Sequence, residues 1–141
     1  VRLLRFNIKT GEKYSYEPFS RQKGGIIAPP LNIAKLKLCI VWDSINGGIA
    51  GISYNNNKFK KNWVINIRPT MQPIYFEQSN ELVINHFDDK SDYLIVIDVL
   101  RGKILSKVNL RTPMANGMFL TPGFNNDVLY CSTLAISKVS W

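Results

Sequence analysis

The stretch "DVLRGKILSKV" (98–108) reads as a strand, a tight turn at Gly102 and a second strand. A hairpin this tight needs positive φ at one turn residue, which Gly and Asn adopt at little cost. A looser copy, "NIKTGEKYSYE" (7–17), stands about 91 residues earlier, with Gly11 where Gly102 sits. Further copies line up along the chain. "KLCIVWD" (37–43) matches "ELVINHF" (81–87) at an offset of about 44 residues. "GISYNNNKFKKNWVINIR" (51–68) matches "VIDVLRGKILSKVNLR" (96–111) at about 45, with Asn57 in the turn. "NDVLYCST" (126–133) matches "NELVINHF" (80–87) at about 46. A period in the mid-forties with four strands per unit is the signature of a β-propeller blade.

Short apolar runs rich in Val, Ile, Leu and aromatics dominate the rest: "LKLCIVW", "ELVINHF", "YLIVIDV" and "DVLYCST". They are bounded by turn formers such as "NGG", "NNN", "DDKSD" and "PGFNND". No window sustains the i, i+3, i+4, i+7 pattern of an amphipathic helix, and only "LNIAKLK" (31–37) has room for a turn or two. The expected fold is all-β, a propeller segment of about three four-stranded antiparallel blades. Residues 1–20 end one blade, 21–67 and 68–111 are complete blades, and 112–141 begin another. The start then holds strands that the finish lacks. Propellers typically have four to eight blades, so about three predict either a longer parent protein or self-association into a ring of about six. The opening at Val1, directly in strand-like sequence, fits a beginning inside a longer protein.

The 141 residues are 45% hydrophobic and 20% charged, ordinary for a chain that buries a core. No apolar run approaches the ~20 residues of a membrane helix, and no membrane partner is expected. The net charge of +8 is uneven: residues 1–61 hold 11 Lys and Arg against 3 acids, whereas 62–141 hold 7 against 7. A basic half draws anions at long range. The lysines are scattered through alternating strands, however, and only "KFKKNW" (58–63) interleaves them with aromatics as base stacking requires. Solvated strand faces are the expectation, and nucleic acid is not an expected partner. Cys39 and Cys131 lie in apolar runs and read as buried free thiols, with a lean to a cytoplasmic setting.

"DYLIVIDVLRGKILSKV" resembles the D-x-x-x-G hairpin of quinoprotein-like (PQQ-like) propeller repeats. "TMQPIYF", "TPMANGMFLTPGF" and "DVLYCSTLAISKV" resemble a group of uncharacterised bacterial propeller proteins. The resemblance covers most of the chain and implies the propeller fold. The Trp-rich docking signature of quinone-binding repeats is missing, so it implies no particular cofactor. "VWDS" (41–44) resembles the Trp-Asp pair of WD40 repeats, but the Gly-His partner is lacking and the other units do not repeat it. The hairpin region also resembles late blades of carotenoid-cleaving oxygenases, whose iron takes four histidines; this chain has one.

That histidine, His86, stands in "INHFDDKSD" with Asp88, Asp89 and Asp92 close behind. Imidazole beside carboxylates can ligate a metal or act as a general base. The other account is a polar turn whose Asp side chains bind backbone N–H groups. No G-x-S-x-G, no phosphate loop and no C-x-x-C occurs. "INGGIAG" (45–51) reads as a hairpin turn. Met71 and Gln72, and Met114, Ala115 and Asn116, open successive units at first strands, which line a propeller's channel. They are where a small molecule or protein ligand is expected, unless they pack between blades. Trp42, Trp63 and Trp141 are expected in the core between blades, with Trp63 in step with Val108. The expected function is a propeller scaffold that binds a ligand or protein partner. The alternative is a metal-binding or enzymatic propeller built around His86, Asp88 and Asp89, its other site residues outside this chain.

Overall fold

The computed structural model describes residues 2–19, 28–55, 58–110, 119–132 and 135–141. The chain is all-β, built as four antiparallel sheets that follow one another along the sequence. The first sheet pairs β1 (Leu3–Phe6) with β2 (Lys13–Tyr16). The second is a meander of β3 (Leu31–Ile33), β4 (Leu38–Trp42), β5 (Ile49–Asn55) and β6 (Lys58–Ile65). The third repeats it with β7 (Ile74–Phe76), β8 (Glu81–Phe87), β9 (Asp92–Asp98) and β10 (Lys103–Asn109). The fourth has β11 (Phe119–Pro122), β12 (Asp127–Cys131) and β13 (Ile136–Ser140). The only helical turn is a 3-10 turn at Ala34–Leu36, among the described residues. Among the described residues no helix is long and apolar enough to cross a membrane.

The hairpin at 98–108 forms as its sequence predicts, and its turn is the same object as the one at 7–11. Asp98 Oδ1 accepts from the N–H of Leu100 at 2.9 Å and of Arg101 at 3.2 Å. Asn7 Oδ1 accepts from Lys9 at 3.0 Å and Thr10 at 3.3 Å. In both, the glycine N–H bonds back to the carbonyl of the Asp or Asn at 2.8 Å, with φ of +65° at Gly102 and +74° at Gly11. The short polar side chain replaces the missing backbone partners of the turn. β1 and β2 are therefore joined by the same turn as β9 and β10, the third and fourth strands of their sheet.

The turn between β4 and β5 matches that between β8 and β9. Asp43 Oδ1 accepts from Ile45 and Asn46, and Asp88 Oδ1 accepts from Lys90 and Ser91. This match corrects the register read from the sequence. The spacing is about 45 residues before the turn and about 43 after it, where the sequence reading has about 44 and about 45. A slip of one residue moves every side chain to the other face of a sheet. In the corrected register Gly51, opposite Trp63, corresponds to Leu94, opposite Val108, so Trp63 and Val108 are in step. Asn57 lies outside the described residues.

The sheets stack face to face, and every contact has the same sense. We call the face bearing Leu38, Ile40, Trp42, Ile49 and Trp63 the front of the second sheet. It packs on Leu82, Ile84, Ile95 and Ile97, the back of the third. The second sheet's own back, with Cys39, Val41, Ala50 and Ile52, meets Leu3 and Tyr16 of the first. The third sheet's front, Val83, Leu94 and Val96, meets Leu120, Val128 and Val139 on the back of the fourth. Strands covered on both faces must be apolar throughout, which is why "LCIVW" and "LIVI" run unbroken. The front of the fourth sheet is bare, with Phe119 at 65% and Ile136 at 72% exposure; so is the back of the first, with Leu4 and Phe6. The outermost strands β6 and β10 carry exposed lysines (58, 60, 61, 103 and 107), which discourage pairing at a sheet edge. The basic half of the sequence is thus largely a solvated strand face.

Trp42 and Trp63 are buried between the second and third sheets, and Trp141 packs edge-on against Phe76 of the third sheet at 5.2 Å. Trp63 Nε1–H donates to the Val99 carbonyl at 2.8 Å, tying the two sheets. Cys39 and Cys131 are free, and half-buried where full burial was expected.

Candidate functional site

His86, Asp88 and Asp89 line one shallow cleft of about 200 Å³, with Gly47, Arg68 and Phe87. β8 carries His86 to its end, and the Asp88 turn follows. The Arg68 backbone N–H donates to His86 Nδ1 at 2.9 Å, which places the proton of the neutral ring on Nε2. Neither ring nitrogen is then a free base. The Arg68 guanidinium pairs with Asp89 at 2.5 Å and lies over the Phe87 ring at 5.0 Å. Asp88 is committed to its turn, and the N–H groups of Ser91 and Lys90 hold its carboxyl below the usual range. Among the described residues no three His, Cys, Asp or Glu side chains gather as a metal shell. The cleft is a charged seam between the second and third sheets.

Burial, then Lys107 close by, lower the His86 pKa from its ordinary 6.5. Where the folded value lies below the unfolded one, the unfolded chain binds more protons as pH falls, so stability drops. The loss begins below about pH 6.5 and levels off below the folded value. NMR titration of the single histidine is expected to give a midpoint below 6.5, and His86→Gln to flatten the stability profile there. A midpoint above 6.5 would contradict the half-buried, Arg68-bonded ring.

Beneath the cleft lies a polar network that the sequence did not single out. Asn85, fully buried, accepts at Oδ1 from the N–H groups of Thr70 and Met71, both at 3.0 Å. Its Nδ2 donates to Thr70 Oγ1 at 2.7 Å and Asp92 Oδ1 at 3.1 Å. The Tyr130 hydroxyl of the fourth sheet donates to Asp92 Oδ2 at 2.6 Å. A polar residue inside "LVINHF" was the available signal. Asp92 thus serves the sheet interface rather than the His86 cleft. Met71 is buried against Tyr130, and Gln72 beside it is exposed. Met114, Ala115 and Asn116 lie outside the described residues.

A larger concavity runs between β7, which lies beside β11, and the turn joining β11 to β12. It holds about 730 Å³ and is lined by Tyr75, Phe76, Gln78, Phe124, Asn125 and Asn126. Phe124 is 90% exposed at its rim. Asp127, buried, fixes this turn: its Oδ1 accepts from the Phe124 N–H at 3.0 Å and its Oδ2 pairs with Lys138 at 3.0 Å. The groove sits at the end of β7 away from Gln72. It offers aromatic faces and amides, the chemistry of a binding groove. No family model matches the chain, and no curated protein matches its sequence.

Proposed function

We propose that the chain is a segment of a β-propeller of the quinoprotein-like kind, its sheets being blades, and that it acts as a non-catalytic scaffold for a small-molecule or protein ligand. The observation that carries this reading is how the acids and the histidine are employed. Asp43, Asp88 and Asp98 cap turns, Asp92 and Asp127 hold buried bonds, and His86 accepts from backbone. Chemistry needs such groups free at a cleft. The ligand meets the first-strand groove, where Phe124 is an exposed aromatic anchor on a turn fixed in advance.

Elemental analysis of purified protein, with calorimetric titration of Zn²⁺, tests the scaffold against the metal-site alternative. The scaffold predicts no stoichiometric metal and the same weak heat for wild type and His86→Ala. A 1:1 metal that disappears in His86→Ala would overturn it.

A further inference from the structure

We propose that the groove between β7 and the β11–β12 turn takes a neutral saccharide, a short chain of sugar rings lying against Phe124. This rests on the reading of that groove as the ligand site and adds the class of ligand. Charge decides first. The chain holds 18 Lys and Arg, yet among the described residues none lines the groove. Its one charged group is Glu77, which pairs with Lys35 at 3.0 Å. Phosphates and carboxylates are held by Arg and Lys, so the groove suits an uncharged ligand. A wholly apolar one is ill served. The side-chain amides of Gln78, Asn125 and Asn126 bond to no other described residue, and covering them with hydrocarbon strips their water without replacement. An extended peptide needs a free strand edge. β7 is three residues long, and β11 already lies beside it.

A sugar ring has what is left: faces of C–H bonds and an edge of hydroxyls. The C–H hydrogens, slightly positive, rest on the negative face of an aromatic ring. A side-chain amide both donates and accepts, so one Asn or Gln serves two neighbouring hydroxyls. The groove brings the two kinds of group together, with Tyr75 and Phe76 from β7, Phe124 from the turn, and the three amides. They are held in advance. The Tyr75 hydroxyl donates to Asn80 Oδ1 at 2.8 Å, Phe76 is braced edge-on by Trp141, and Asp127 fixes the turn under Phe124. Little ordering is then left to oppose binding. Asn126 has a φ of +40°, which Gly adopts at less cost, and it keeps an amide in the groove. Cleavage of a glycosidic bond uses a pair of carboxyl groups. Among the described residues Glu77 is the only one lining the groove, since Asp127 is buried and holds the turn. The sugar is bound and left whole.

Amide NMR spectra of the chain, titrated with cellotetraose, maltotetraose, chitotetraose and mannotetraose, test the assignment. At least one sugar is expected to shift the amides of residues 75–78 and 124–126 saturably, side-chain amides included. Phe124→Ala should weaken that binding about tenfold while the remaining amides keep their positions, and Phe124→Trp should preserve it. Inorganic phosphate, AMP and tetraalanine should leave the same amides unmoved. The proposal is overturned if none of the four sugars shifts them, or if binding is unaltered in Phe124→Ala. Where AMP or tetraalanine moves them instead, the groove remains the ligand site and only the sugar class falls. Where no ligand of any kind moves them, the reading of the groove as a small-molecule site falls too. Where a bound tetrasaccharide is cut to shorter sugars, the sugar class stands and the non-catalytic reading falls.

Discussion

Gly102→Ala is expected to lower stability by roughly 1–3 kcal/mol more than Gly11→Ala, although the two glycines occupy equivalent turns. Both have positive φ, so each alanine brings about 1–2 kcal/mol of backbone strain. Around Gly11 an added methyl meets open space. At Gly102 it lands on the Trp63 ring, with Cγ and Cδ2 nearest. Trp63 cannot retreat, because on its other side an added Cβ at Gly51 would also strike it, and its N–H is held by Val99. Overpacking a closed site adds roughly 1–3 kcal/mol, for a total of about 2–5 at Gly102 against about 1–2 at Gly11. Urea unfolding followed by tryptophan fluorescence measures both. Trp63→Leu in the Gly102→Ala background should recover part of the loss, as contacting residues couple by roughly 0.5–3 kcal/mol. Equal costs at the two glycines would mean that the indole does not rest on Gly102.

Asn85→Leu carries the second large effect. Leucine has similar bulk, so no cavity explains a loss. It removes the acceptor of two backbone N–H groups, Thr70 and Met71, and one donor to Asp92. Each buried group left without a partner costs about 1–3 kcal/mol, so on the order of 4 kcal/mol is expected. Thermal unfolding gives the sum, and faster exchange of the Thr70 and Met71 amides localises it. A loss below about 1 kcal/mol would show that water replaces the amide.

The two glycine hairpins were legible because their chemistry is local: Asn7 or Asp98, three residues, then Gly. The strands were legible as well, since sheets covered on both faces demand unbroken apolar runs. That same property hid the register. Where Leu38, Cys39, Ile40 and Val41 are all apolar, sliding one residue leaves the pattern unchanged. Only Asp43 and Asp88, capping equivalent turns, fix the match. The His86 cluster was legible as a polar group at a turn, and the turn account of Asp88 describes its bonds. Asn85 was passed over because its network, Thr70, Asp92 and through Asp92 Tyr130, comes from three separate stretches. The rim position of Phe124 has no sequence signal, since exposure of a loop aromatic depends on what packs nearby.

Because every stack is front on back, the row has a direction, and a further unit at either end would leave the same two bare surfaces. Stacking chemistry alone sets no limit on length; only the angle each unit adds can bring the row round on itself. In a propeller of the kind proposed, duplication or loss of one unit of about 44 residues should therefore be tolerated by each junction taken singly and felt only where the ring closes. Where closure fails, the same head-to-tail geometry makes an open row the starting point for linear growth.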